Sequence, residues 1–221
     1  MLHIMNWYAK FGYNDFVIAL GYKSTVIKNY FLNYYSLNSD FEVDLSSGKI
    51  TYINQKGKDW KVTLMDTGIN TMTGGRIKRL QEIIGDETFM VTYGDGLSNI
   101  NIDALIDFHK SSGKIATLSA VFPTARFGEL VIDESNIVKE FKEKPQLETG
   151  RINGGFFVFE SEIFDFIDDD TTILERQPME NLVLKNELAA YKHDGFWQPM
   201  DTIREKQILE ESWASGNSPW K

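Results

Sequence analysis

The sequence of 221 residues carries 32 acidic and 23 basic side chains, a formal net charge of −9, and it contains no cysteine. The lack of cysteine excludes disulfides, thiolate nucleophiles and thiolate metal sites, and the acidic balance disfavours a nucleic acid polymer as partner. No apolar run reaches bilayer-spanning length and the first residues lack a signal-peptide pattern, so we expect a cytoplasmic protein without a membrane partner.

In the first half of the chain, short apolar runs alternate with helical patterns. The run at 15–22 predicts a buried strand, and the segment 24–35 predicts a helix that its first or second residue can cap. Residues 41–45 and 49–53 predict a hairpin. Residues 60–68 predict a further strand that runs into a polar loop.

The second half continues this alternation. In chain order we predict a helix opening at Gly74, an apolar strand at 88–96, a helix capped by Asn101, a strand at 117–123, short strands as far as 160, helices at 161–168, 178–187 and 203–215, and a strand at 188–193. Strand–helix alternation is typical of an α/β fold. We therefore expect one domain over 1–221, with a mixed, mainly parallel sheet flanked by helices.

The segment that most clearly indicates a ligand site is Tyr-Gly-Asp-Gly at 93–96, which follows a predicted apolar strand. Ligands of open α/β sheets bind beyond the carboxyl ends of the strands, and the glycines permit close approach to the backbone. Asp95 is placed there to bind Mg²⁺, which takes one or two carboxylates with phosphate oxygens and water. An ordinary strand-ending turn explains the same residues, and this segment alone does not decide between a metal site and a turn.

Two further segments offer groups that suit a sugar phosphate. In 141–145, Lys144 can neutralise a phosphate and Glu143 can accept hydrogen bonds from sugar hydroxyls, although a solvated charged strand end gives the same pattern. In 153–157, paired glycines follow Asn153, whose amide can bond a sugar hydroxyl. A β-bulge is the alternative for the second segment.

Two polar segments at predicted helix starts complete the candidates. Asp201 precedes the last predicted helix and can supply a second carboxylate for a metal at Asp95, or it can be a helix N-cap. The Gly-rich segment 66–76 can contact a base or an anion, with Arg76 reaching a phosphate, or it can be an ordinary loop. The three histidines lack metal-ligand spacing, and we expect His3 and His109 to be structural.

The order and spacing of five short motifs identify a resemblance. They are MTGGR at 72–76, TYGDG at 92–96, EKP at 143–145, INGGFF at 152–157 and GFWQPMDT at 195–202. Together they resemble the nucleotidyltransferases that activate sugar 1-phosphates, most closely the glucose-1-phosphate cytidylyltransferases, over nearly the entire chain. The resemblance implies a Rossmann-like nucleotide-diphospho-sugar transferase fold. It also implies that CTP and α-D-glucose 1-phosphate react with Mg²⁺ to give CDP-glucose and pyrophosphate, for dideoxyhexose synthesis in the lipopolysaccharide O-antigen.

The same resemblance assigns roles to individual residues. Asp95 and Asp201 would hold Mg²⁺, and the catalytic set would be Lys144, Arg76 and Asp95. The substrate-binding set would be Thr71, Gly74, Gly75, Arg76, Tyr93 and Gly94 with Glu143, Lys144, Asn153 and Gly154, in which Thr71, Arg76 and Gly94 contact the nucleotide and Glu143, Lys144 and Asn153 the glucosyl phosphate. Relatives of this kind are commonly homo-oligomers, which we also expect here.

One part of the family pattern is absent from the sequence. The family has a first strand, a GGxGTRL loop and a KPKPM segment before its first helix, and this chain starts within that helix. Because the loop cradles the triphosphate, we expect weakened triphosphate binding and impaired turnover. Two other functions stay open: a nucleotidyltransferase for another base or sugar phosphate, and a non-catalytic sugar-nucleotide-binding protein.

Overall fold

The computed structural model describes residues 1–54, 57–123, 129–142 and 150–221. The helices in these ranges are α1 Leu2–Ala9, α2 Ser24–Leu32, α3 Tyr34–Asn38, α4 Thr73–Lys78, α5 Gln81–Ile84, α6 Ile102–Ser112, α7 Gln177–Leu184 and α8 Ile203–Ala214, with a 3₁₀ helix at Ser161–Phe166. The strands are β1 Asp15–Leu20, β2 Phe41–Asp44, β3 Lys49–Tyr52, β4 Lys61–Asp66, β5 Phe89–Thr92, β6 Gly96–Ser98, β7 Ala116–Val121, β8 Glu129–Ile132, β9 Val138–Lys142, β10 Ile152–Phe159, β11 Leu188–His193 and β12 Trp197–Pro199.

A four-stranded sheet in the order β11-β7-β10-β5 forms the centre of the fold. β11 runs parallel to β7, whereas β10 is antiparallel to both of its neighbours. The expected mixed sheet with flanking helices is confirmed. Two of its three pairings are antiparallel rather than parallel, because β10 lies between β7 and β5 and not at the periphery.

The smaller sheets are pairs of strands. β1 and β4 are parallel, so their carboxyl ends at Leu20 and Asp66 lie at the same edge. β2 and β3 form the hairpin that the sequence predicted, and β8 pairs with β9 in a second hairpin. β6 and β12 form a short antiparallel pair that is important for the site described below.

Strand β10 divides the core because its side chains alternate between the two faces of the sheet. Phe156 and Val158 pack on one face, with the buried Ile102 and Leu105 of α6. The other face is formed around two phenylalanines of β10 and the buried side chains of the 3₁₀ helix and α7, namely Phe157, Phe159, Ile163, Phe164 and Leu182. The helices therefore cover both faces of the sheet.

Helix starts show which local predictions hold. Asn101 caps α6 as expected, its side-chain oxygen accepting from Ala104 N at 3.0 Å. The predicted cap of α2 by Ser24 or Thr25 is wrong, since the N-cap position is Lys23 with φ 58° and no side chain caps the helix. The turn closed by Ser24 N and the Gly21 carbonyl at 3.1 Å begins the helix one residue earlier than the pattern indicated.

In the described ranges, none of the helices combines the length and the apolar character that crossing a bilayer requires.

Candidate functional site

The first part of the site is the turn that follows strand β5. Tyr93 is the first residue after β5, and it continues the pairing by one hydrogen bond, in which its backbone N–H donates to the Gly155 carbonyl of β10 at 3.0 Å. The next two residues, Gly94 and Asp95, are exposed. A Cβ at Gly94 would meet no atom within 4 Å, so there is free space on that side of the turn, while the Gly94 carbonyl accepts from the Met1 ammonium at 3.4 Å.

The β6–β12 pair brings a second carboxylate to this turn. Gly96 lies opposite Pro199, and Met200 N donates to the Asp95 carbonyl at 2.8 Å. The chain that leaves β12 therefore runs beside the turn. As a result Asp95 and Asp201 line the same cavity, and both are exposed.

The cap of helix α8 is formed without the Asp201 carboxylate. Thr202 Oγ1 accepts from Glu205 N at 3.2 Å, and Glu205 Oε2 accepts from the backbone N–H groups of Asp201 and Thr202, both at 2.8 Å. The alternative in which Asp201 itself is the N-cap is thus wrong. Asp201 instead lines the cavity.

The cavity has a volume of about 290 Å³. Among the described residues that line it, the ionisable groups are Asp95, Asp201 and Glu205 together with the Tyr93 phenol, and none is basic. Oxygen ligands of this kind suit Mg²⁺, which binds through one or two carboxylates plus substrate phosphates and water. Groups of three or more His, Cys, Asp or Glu side chains that suit a metal are not found in the described ranges.

Strand β10 supplies a glycine-lined wall. The pairing with β7 shifts register between Asn153 and Phe157, so the β-bulge proposed as an alternative is present. A Cβ at Gly154 would lie 2.6 Å from Ser119 Oγ, and one at Gly155, where φ is 76°, would lie 2.7 Å from the Tyr93 ring. The bulge and the tight packing of Gly154 and Gly155 therefore occur at the same place, where the backbone of β10 lines the cavity.

Tyr93 connects this wall to a residue that the sequence analysis missed. Its hydroxyl donates to Glu175 Oε1, and its side chain also hydrogen-bonds Asn153, whose Oδ1 accepts from Gly155 N at 2.8 Å. Burial, followed by the bond to Glu175, raises the pKa of Tyr93 above its ordinary range, so the phenol keeps its proton. Glu175 lies in a segment with no recognisable motif, and no sequence signal pointed to it.

Arg76 lies at the shared edge of β1 and β4. Its Nη1 donates to Thr67 Oγ1 at 2.7 Å, to the Gly68 carbonyl at 2.9 Å and to the Leu20 carbonyl at 3.2 Å. A Cβ at Gly21 would lie 2.5 Å from this guanidinium, so glycine makes room for it. Arg76 thus satisfies backbone carbonyls at the strand ends, and its contact with a phosphate stays a prediction.

The other residues of this loop are packed rather than open. Thr71 is buried, and Gly74 and Gly75 lie against the backbone of Thr172 and Asp170, where an added Cβ would come within 2.8 Å and 2.6 Å of the nearest atoms. None of the three lines the 290 Å³ cavity. The structure therefore places the predicted nucleotide loop beside the cavity walls described above and not within them.

Two of the predicted residues, Glu143 and Lys144, lie outside the described residues. A second cavity, of about 590 Å³, is formed by α1, residues 58–60 and the C-terminal residues. It is larger, but none of the described candidate residues lines it. We therefore place the candidate site at the smaller cavity.

His109 and His3 make packing and hydrogen-bond contacts within the protein, which agrees with the structural roles expected for them. His109 is buried, with Nδ1 2.8 Å from Thr117 Oγ1 and Nε2 3.0 Å from Glu160 Oε1. His3 packs edge-on against Trp213, with ring centroids 4.4 Å apart. Neither lines the 290 Å³ cavity.

Comparison with known proteins identifies the family. The sequence profile of the family described as "Nucleotidyl transferase" matches residues 2–201. A glucose-1-phosphate cytidylyltransferase of Salmonella typhi is 47% identical over 220 residues, which cover 99% of this chain and 85% of that protein. A probable glucose-1-phosphate cytidylyltransferase of Bacillus subtilis is 41% identical with the same coverage.

Solved structures support the fold. HddC from Yersinia pseudotuberculosis superposes with a TM-score of 0.64 at 20% identity, covering 96% of this chain and 84% of that one. An apo UDP-glucose pyrophosphorylase superposes with a TM-score of 0.62 at 13% identity, covering 97% and 86%. The fold, the profile match and the identity along the full chain agree, and the chain therefore belongs to the nucleotidyl transferase family and, within it, to the glucose-1-phosphate cytidylyltransferases.

Proposed function

We propose that this chain acts in the transfer of a cytidylyl group from CTP to α-D-glucose 1-phosphate, giving CDP-glucose and pyrophosphate. The observation that carries the proposal is the β6–β12 pairing, which sets Asp95 and Asp201 on one cavity although they are far apart in sequence. The 47% identity to a named cytidylyltransferase supports the base and the sugar.

The reaction needs alignment more than proton transfer. A phosphate oxygen of glucose 1-phosphate attacks the α-phosphorus of CTP in line, and the bond from that phosphorus to the bridging oxygen of the β-phosphate breaks as pyrophosphate leaves. The attacking oxygen is already an anion at neutral pH, so no general base is required. The protein contributes positioning and charge neutralisation.

Mg²⁺ held by Asp95 and Asp201 would supply the positive charge that two polyanionic substrates need in a cavity with acidic walls. The chain's own groups position the substrates. Trp197 Nε1 donates to the Gly154 carbonyl at 2.8 Å and so fixes the glycine wall, and Asn153 is held by Gly155 N and Tyr93. Lys144 and Arg76 remain the candidates for phosphate contact, and Glu143 for the glucosyl hydroxyls.

The first experiment combines calorimetry with a pyrophosphate-release assay. CDP-glucose is titrated into the chain with and without Mg²⁺, and turnover is measured with CTP and glucose 1-phosphate and then with other nucleotides and sugar phosphates. We expect Mg²⁺-dependent binding that favours CDP-glucose, and pyrophosphate release that is fastest with CTP and glucose 1-phosphate. Binding with no turnover at all would support the non-catalytic alternative, and failure to bind any sugar nucleotide would overturn the proposed function.

The second experiment tests the two carboxylates. We expect Asp95→Asn and Asp201→Asn each to remove most of the Mg²⁺ dependence of CDP-glucose binding. Asp107→Asn is the matched control, since Asp107 is an exposed carboxylate on α6 that does not line the cavity. Either site variant binding like the parent chain, with the same Mg²⁺ dependence, would show that the metal assignment is wrong.

The wider setting follows from the same proposal. We place the enzyme in the cytoplasm and its product in dideoxyhexose synthesis for the O-antigen, and we propose a homo-oligomer.

Exposed apolar side chains on α2, α3 and the β2–β3 hairpin support the homo-oligomer: Val26, Leu32, Leu37, Val43 and Ile50 are each at least 41% exposed. Of the two tryptophans near the C-terminus, Trp220 is buried against Phe196 and Trp213 is exposed, so Trp213 is the one that an interface could use. Light scattering of the purified chain tests the oligomer, and a monomer at micromolar concentration would contradict it.

A further inference from the structure

Residues 170–175 lie against the predicted nucleotide loop and are bonded to it along their length. We refer to 170–175 as the strap and to 72–76, which comprise Met72 and the start of helix α4, as the nucleotide loop, or the loop for short. Met72 N donates to the Asp170 carbonyl at 2.8 Å, and Gly74 N donates to the Thr172 carbonyl at 2.9 Å. In return, Leu174 N donates to Thr73 Oγ1 at 2.9 Å. The strap and the loop are therefore joined by hydrogen bonds donated in both directions.

Glu175 ends the strap and extends it to the cavity. Its Oε2 accepts from the Thr73 hydroxyl at 2.7 Å, and its Oε1 accepts from the Tyr93 hydroxyl. One carboxylate thus bonds a residue of the loop and a residue of the cavity wall. Hydrogen bonds to an ionised acceptor are stronger than those between neutral groups. We therefore expect the two bonds at Glu175, which we call the junction, to contribute to holding the loop against the cavity wall.

The junction continues across the cavity wall. Because the Tyr93 hydroxyl directs its proton to Glu175, its oxygen accepts from the Asn153 amide, and Asn153 in turn is fixed by Gly155 N. A continuous series of hydrogen bonds therefore runs from Thr73 through Glu175 and Tyr93 to Asn153. Its two ends are in the loop proposed for the nucleotide and in the strand proposed for the sugar phosphate.

We propose that Glu175 is a positioning residue for nucleotidyl transfer, which sets the nucleotide loop and the sugar-side wall in register through Thr73 and Tyr93. This role rests on the function proposed above. Glu175 is exposed and lies outside the residues that line the cavity, so it acts through its partners and not on the substrates. Replacing Glu175 would remove the hydrogen bonds that hold Thr73 and Tyr93, and we expect this to weaken ligand binding.

The test compares Glu175→Gln and Glu175→Ala with Glu180→Gln, an exposed glutamate in the first turn of α7 that controls for the change in charge. Calorimetry with CDP-glucose and Mg²⁺ gives the dissociation constant, and thermal melting gives stability. We expect Glu175→Ala to raise the dissociation constant roughly tenfold, the equivalent of about one charge-assisted hydrogen bond. Glu175→Gln, which keeps the reach and one acceptor oxygen, should recover part of this loss, and Glu180→Gln should stay within about twofold of the parent.

A double-mutant cycle with Tyr93→Phe distinguishes positioning from a merely structural role. The phenylalanine keeps the ring contact with Phe157 and removes the hydroxyl that Glu175 accepts from. If Glu175 acts through Tyr93, its substitution changes affinity much less in the Tyr93→Phe background than in the parent. Fully multiplicative effects, or a Glu175→Ala chain that melts early but binds CDP-glucose like the parent, would overturn the proposal. A parent chain that binds no sugar nucleotide would overturn the proposed function instead, so the two failures are distinguishable.

Discussion

Replacing Gly155 with alanine measures how tightly the glycine wall is packed. The residue has φ 76°, and an added Cβ would lie 2.7 Å from Tyr93 Cδ2 and 3.2 Å from Cγ. The ring cannot simply turn away, because its hydroxyl bonds Glu175 and its edge meets Phe157 at a centroid distance of 5.5 Å. A side chain in the left-handed region costs roughly 1–2 kcal/mol, and overpacking costs roughly 1–3 kcal/mol more.

We therefore expect Gly155→Ala to lower the free energy of unfolding by roughly 2–5 kcal/mol and the melting temperature by roughly 4–20 °C. Urea denaturation followed by circular dichroism gives the first quantity, and a thermal scan gives the second. The matched control is Gly216→Ala, because Gly216 has φ 77° but no atom within 4 Å of an added Cβ. This control isolates the backbone cost of roughly 1–2 kcal/mol. Equal losses in the two variants would refute the argument that the Tyr93 ring confines Gly155.

Two further predictions concern stability. Thr202→Ala removes the side-chain acceptor of the capping box with Glu205, so it should lower the free energy of unfolding in urea by about 1 kcal/mol. Thr202→Ser keeps a hydroxyl acceptor and should retain most of that stability. An alanine variant as stable as the parent would contradict the role of the cap. Burial lowers the pKa of His193 below its ordinary 6.5, so below that pH the unfolded chain binds more protons than the folded one, and the free energy of unfolding should fall as the pH drops from about 6.5 toward 5. His193→Gln should reduce that slope between denaturation curves at pH 7 and pH 5.5, and an unchanged slope would exclude His193 as its source.

Local features were the ones that the sequence predicted well. Asn101 as a helix cap, the hairpin of β2 and β3, and the strand at Leu188–His193 each depend on a few neighbouring residues, and each is present. The cap of α2 failed for a local reason as well, since a turn at Gly21 starts the helix before the capping candidates. Such errors are small because helix boundaries shift by only one or two residues.

The candidate site could be predicted in part. The pattern of an apolar strand followed by Gly-Asp-Gly marked Asp95, and the resemblance paired it with Asp201. Nothing in the sequence showed that the Arg76 guanidinium would donate hydrogen bonds to the carbonyls of Leu20 and Gly68. Nor did it show that Glu175 would connect the loop to the cavity wall. These contacts link residues that are distant in the chain, and a hydrogen-bond partner of that kind leaves no periodic signal.

By itself, the sequence determined the family, the element types and the list of residues able to bind phosphate, sugar or metal, because motifs and periodicity are properties of neighbouring residues. Only the tertiary structure decided that β10 lies between β7 and β5, that Asp95 and Asp201 share one cavity, and that Glu175 bonds both Thr73 and Tyr93. The physical reason is that strand pairing and side-chain hydrogen bonds between remote segments depend on how the whole core packs. The same short motifs are compatible with several such arrangements until the core selects one.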